Sequence, residues 1–88
     1  MNWVSKFARE AEKQFRRLTR DRQEQFSKII DGLVKNPLVG DIRLVKSGAF
    51  KGAWRRRVGN YRIFFALEEA KKLINILSIR KRDEKTYR

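Results

Sequence analysis

The chain has 88 residues, enough for one small domain with a thin core. Its 23 Lys and Arg outnumber 10 Asp and Glu, for a net charge of +13, which favours polyanionic partners such as nucleic acid. It has no Cys, which excludes disulfide and thiolate chemistry, and no His, which removes the commonest metal ligand and general base. We therefore expect no metal and no cofactor. No stretch approaches the roughly 20 apolar residues of a membrane-spanning helix. The N-terminus also lacks the apolar region of a signal peptide, so the expectation is a cytoplasmic protein without membrane contact. Disorder is the other reading of so much charge, but six Phe, two Trp, two Tyr and regular Ile/Leu runs argue against it.

Along the chain, Trp3, Ser5 and Phe7 alternate as in a short strand. Val4, Phe7, Ala8 and Ala11 fit a helical stripe equally well, so periodicity leaves this segment open. Phe7, Ala11, Phe15 and Leu18 then mark an amphipathic helix with a basic outer face of Arg9, Lys13, Arg16, Arg17 and Arg20. Thr19-Arg20 is a break, and Asp21 with Glu24 resembles a capping box. Phe26, Ile29, Ile30, Leu33 and Val34 predict a second helix that ends at Asn36-Pro37.

After Pro37 the period changes to two. Strands are predicted over 42–45, 53–58, 61–67 and 73–79, the last being the most apolar and expected to be central. Gly59-Asn60 is the turn of a hairpin, and a loop runs from Ser47 to Gly52. Residues 1–88 thus read as one α+β domain, a helical hairpin covering one face of a small antiparallel sheet.

Charge concentrates where the strands are. Residues 1–44 hold 10 basic against 6 acidic side chains, whereas residues 45–88 hold 13 against 4. Within the hairpin, Trp54, Arg56 and Val58 share the face toward the helices, and Arg55 and Arg57 share the open one. Arg56 suits an inner face poorly, so either it snorkels to the edge or a bulge re-aims it. Arg55, Arg57 and Arg62 together form a candidate anion site, because several guanidinium groups on adjacent strands suit phosphates. Lys46 and Lys51 on the preceding loop are candidate phosphate contacts. So are Arg80, Lys81 and Lys85 near the C-terminus, where Tyr87 is a candidate for base stacking or proton transfer. Trp54 and Phe50 are expected in the core rather than as stacking platforms.

The order helical hairpin, Trp54-Arg55-Arg56-Arg57-Val58-Gly59-Asn60-Tyr61-Arg62, apolar strand, Arg80-Lys81-Arg82 and Tyr87-Arg88 resembles the RelE/ParE toxin superfamily. Ala11-Glu12-Lys13-Gln14-Phe15 is similar to that family's first-helix signature. The resemblance implies an N-terminal strand over residues 2–7. It also implies an antitoxin partner, suited to this charge if acidic. The RelE branch implies a ribosome-dependent mRNA endonuclease, with mRNA on the ribosome as substrate. The ParE branch implies a DNA gyrase inhibitor without catalysis. A nonenzymatic RNA-binding module is the remaining alternative.

By position, Arg55 and Arg57 match the family's basic pair on the catalytic strand and Arg62 the arginine after the turn. Arg82 matches its C-terminal basic residue and Tyr87 its terminal tyrosine. Arg80-Lys81-Arg82 departs from the usual pattern, and Arg80 is an alternative for the role given to Arg82. Arginine keeps its proton, so these side chains act as clamps. The candidate bases are Tyr87, which we favour, and Lys51, Lys81 and Glu84.

Overall fold

The computed structural model describes residues 3–81. Two helices follow the predicted stripes, α1 over Arg9–Arg16 and α2 over Arg20–Lys35. The cap of α2 lies two residues before the predicted capping box. Thr19 takes the extended backbone of a cap, and its Oγ1 accepts from the Arg22 N–H at 3.2 Å. Asp21 instead sits in the first turn, where its charge suits the helix dipole. Gln23 Nε2 donates to the Phe15 carbonyl at 3.1 Å, tying the two helices at their joint. The helix stops at Asn36, held extended before Pro37. Among the described residues, no helix is long and apolar enough to cross a membrane.

The strands are β1 (Val4–Phe7), β2 (Ile42–Leu44), β3 (Trp54–Val58), β4 (Tyr61–Glu68) and β5 (Leu73–Lys81). They form one sheet in the order β1-β5-β4-β3-β2. The N-terminal segment is therefore a strand, as the family resemblance implies. Its partner is β5, with Val4 opposite Leu73 and Phe7 opposite Ile76, and the pairing is parallel. The sheet is thus antiparallel except at this edge. β5 is an interior strand, but the middle place belongs to β4.

Gly59 takes a positive φ of 57°, as a two-residue hairpin turn requires at its first position, and sets Val58 opposite Tyr61. The register of β3 on β4 then runs without interruption to Trp54 opposite Phe65. Arg56 consequently stays on the helix side, and of the two predicted solutions the snorkel is the one adopted. Its Nη1 donates to the Arg57 carbonyl at 3.2 Å. A Cβ on Gly40, which has a φ of +108°, would come within 2.9 Å of the Arg56 guanidinium carbon.

The register shift occurs instead between β4 and β5. Phe64 pairs with Ser78 but Phe65 pairs with Ile76, so Leu77 is an extra residue in β5. This reverses the alternation. Ile74, Ile76 and Ile79 all enter the core, while Ser78 and Arg80 turn to the open face. The core closes with Ala11 of α1, Phe26, Ile30 and Leu33 of α2, and Val58, Ile63 and Phe65 of the hairpin. Beyond the end of β1, the Ile79 N–H donates to Gln14 Oε1, so α1 covers the edge of β5.

Because Thr19 rather than Asp21 caps α2, Thr19→Ala should lower the unfolding free energy by about 1 kcal/mol. Asp21→Ala should cost only about 0.3–1 kcal/mol, shrinking with salt. Urea titrations of the two variants at low and high ionic strength check the assignment.

Candidate functional site

Two rows of side chains cross the open face. The first runs Arg43, Arg55, Phe64, Ser78 over β2, β3, β4 and β5, and the second runs Arg57, Arg62, Arg80 over β3, β4 and β5. The loop between β2 and β3 folds over the first row. It is closed at its base by Val45 N–H to the Ala53 carbonyl at 2.8 Å and Gly52 N–H to the Val45 carbonyl at 2.9 Å. This closure lays Phe50 on Phe64, with ring centroids 4.6 Å apart and planes 18° from parallel. The Arg80 guanidinium carbon lies 5.4 Å from the centroid of the same Phe50 ring.

The result is a cavity of about 470 Å³, with Phe50 and Phe64 as its aromatic part and Leu44, Val45 and Ala49 adding apolar lining. Arg43, Arg55, Arg62 and Arg80 reach it from four strands, and Lys46 reaches it from the loop. Among the described residues, no acid lines it. Arg55 is held below the usual arginine range, first by burial, then by Arg62, Arg57 and Arg43, with Asp41 pulling the other way. The site is therefore electrostatically loaded, and an anion entering it relieves repulsion among the cations. Such a space suits a phosphate with an attached ring, because guanidinium forks take oxygens and the aromatic floor takes flat apolar surface. Among the described residues, no group of three His, Cys, Asp or Glu side chains is placed to hold a metal ion.

Of the predicted site residues, Arg55, Arg62, Arg80 and Lys46 converge on this cavity. Arg57 lies on the same face at its border, its Nε 4.0 Å from Asp41 Oδ2. Lys51 is exposed on the loop, outside the lining. Lys81 points to the other face, opposite Tyr61, in a depression shared with Arg17 and Arg22. Arg82, Lys85, Glu84 and Tyr87 lie outside the described residues. Trp54 packs on the core as expected. Phe50 does not, because the closed loop turns it onto the open face.

Sequence reasoning missed Phe64 and Arg43. Phe64 was within reach, since it lies two residues beyond Arg62 and so shares its face. Arg43 alternates with Ile42 and Leu44 in the same way. No local pattern marks Phe50.

A family model described as the ParE toxin of the type II toxin-antitoxin system, parDE, matches residues 5–86. The chain belongs to this toxin family. No curated protein matches it. Its fold is similar to that of the archaeal RelE–RelB complex from Pyrococcus horikoshii OT3, with a TM-score of 0.80, 22% identity, and 96% of this chain and 99% of that chain covered. It is also similar to the isolated RelE toxin of E. coli, with a TM-score of 0.76, 17% identity, and 93% and 86% covered. The RelB–RelE complex from Methanococcus jannaschii gives a TM-score of 0.66 at 24% identity, with 86% and 88% covered. At these identities the likeness is one of fold, and that fold is shared across the RelE/ParE toxin superfamily.

If the cavity takes RNA phosphates, Arg55→Ala should weaken binding of a short single-stranded RNA and flatten its salt dependence by about 0.7 in log–log slope. Fluorescence anisotropy across a salt series measures both. An unchanged slope would place the phosphate contacts elsewhere.

Proposed function

We propose that this toxin is an endoribonuclease that cuts translated mRNA on the ribosome, with the arginine cavity as its active site. The observation that carries this reading is the convergence of Arg55, Arg62 and Arg80 from three adjacent strands around the Phe50–Phe64 floor. In the reaction, the 2′-OH loses its proton and its oxygen attacks the adjacent phosphorus. The new 2′-O–P bond forms as the P–O5′ bond breaks, and the 5′-oxygen takes up a proton. The products are a 2′,3′-cyclic phosphate and a 5′-hydroxyl. Negative charge builds on the phosphorane oxygens between these steps, and preorganised cations stabilise it most where water is excluded.

Arg55, Arg62 and Arg80 serve as these cations and Arg57 supports them from the border. Lys46 contacts the flanking backbone, with Lys51 and Lys85 as outer contacts; Lys81, expected from the sequence to join them, faces the helix side of the sheet and takes no part. In this proposal Arg82 completes the clamp and Tyr87 exchanges the proton. The ribosome contributes by orienting the scissile phosphate, which accounts for a substrate that must be under translation. The protein acts in the cytoplasm, and an acidic antitoxin neutralises it. The relatives from P. horikoshii and M. jannaschii, solved as complexes of RelE with RelB, support a partner of that kind.

One observation favours a second reading. The matching family model is that of ParE, whose branch inhibits DNA gyrase without catalysis. The two separate cleanly. In a translation extract, the proposed activity produces new mRNA ends inside the reading frame only when ribosomes are present. Arg62→Ala abolishes both those ends and growth arrest while the unfolding midpoint stays close to that of the parent. Intact mRNA together with blocked supercoiling by purified gyrase would establish the ParE reading instead.

A further inference from the structure

We propose that Glu10, in the first turn of α1, is the positioning residue for Arg80, fixing its guanidinium in the cavity for the scissile phosphate. The inference rests on the cavity being the RNA site and names a residue that the cavity lining does not include.

Glu10 is 70 positions from Arg80 in sequence, yet Arg80 Nη2 donates to Glu10 Oε2 at 3.0 Å. The same oxygen accepts from Gln14 Nε2 at 3.0 Å and lies 3.0 Å from Ser78 Oγ. Ser78 is fully buried, and its Oγ accepts from Arg80 Nε at 3.0 Å. Arg80 is thus gripped through two nitrogens by one hydroxyl and one carboxylate, with its flat face near Phe50. Gln14 completes the frame, because its Oε1 takes the Ile79 N–H at the edge of β5.

The arrangement follows from the topology. Parallel pairing of β1 with β5 delivers α1 alongside β5, and the extra residue Leu77 turns Ser78 and Arg80 toward it. Energetically this is a weak device for stability. The Glu10 side chain is 54% exposed, so solvent screens its attraction for Arg80. Its effect is geometric. Four cavity arginines repel one another, and a guanidinium without a fixed partner would swing outward. Arg80, only 19% exposed, is held inward.

The test compares Glu10→Ala and Glu10→Gln with the parent, using two readouts. The first is single-turnover and steady-state cleavage of ribosome-bound mRNA. Glu10→Ala should lower kcat by about ten- to a hundredfold with KM little changed. Glu10→Gln, which keeps an acceptor oxygen in place, should recover most of that loss. The second readout needs no catalysis: the heteronuclear NOE of the Arg80 Nε–H, which should collapse in Glu10→Ala and persist in Glu10→Gln. An Arg80 signal as rigid in Glu10→Ala as in the parent overturns the proposal. So does a kcat loss matched by a fall in melting temperature. If the parent itself leaves mRNA intact, the endonuclease reading fails, and the NOE alone decides whether Glu10 holds Arg80.

Discussion

The open face depends on one irregularity, the extra residue Leu77 in β5. Strict alternation from Ile74 and Ile76 would send Ser78 and Arg80 into the core and Ile79 to the surface. Burying a guanidinium among Phe26, Ile63 and Phe65 would cost several kcal/mol. The register shift opposite Phe64 and Phe65 removes that conflict. It lets one strand supply three isoleucines to the core and an arginine to the cavity.

The other strands reach the same end by regular alternation. The Gly59 turn fixes β3 against β4, so Arg55 meets Phe64 and Arg57 meets Arg62 across the sheet. Like charges in cross-strand positions destabilise a sheet. The depression of the Arg55 pKa by burial and by three neighbouring arginines is the electrostatic sign of that cost. Partial compensation comes from Asp41 beside Arg57, Glu10 beside Arg80 and the Phe50–Phe64 stack. Local strain of this kind is retained where it serves a ligand. The apolar layer under the helices is what makes it tolerable.

Much of this was legible in the sequence because it is local. The stripes of α1 and α2, the stop before Pro37 and the Gly59-Asn60 hairpin are encoded within a few residues of where they act. The separation of Arg55 from Arg56 needs only the period of a strand. The parts that stayed open depend on distant contacts. Whether residues 3–7 extend or coil is decided by β5, about 70 residues away, and only the family resemblance indicated it. The cap at Thr19 rather than Asp21 turns on backbone angles that residue type does not specify. Phe50 looked like core because an aromatic on a loop carries no periodicity. The network of Glu10, Gln14 and Ser78 was invisible for the same reason, since its members meet only after the sheet has formed.

In the proposed function the open sheet face, and not the basic outer face of the helices, receives RNA. The most direct test is an NMR titration of arginine Nε–H signals with a short RNA whose 2′-hydroxyls are methylated to prevent cleavage. Saturable shifts at Arg43, Arg55, Arg62 and Arg80, with Arg9, Arg16, Arg17 and Arg20 little affected, are the predicted result. Shifts confined to the helix arginines, with the cavity signals unmoved, would contradict it.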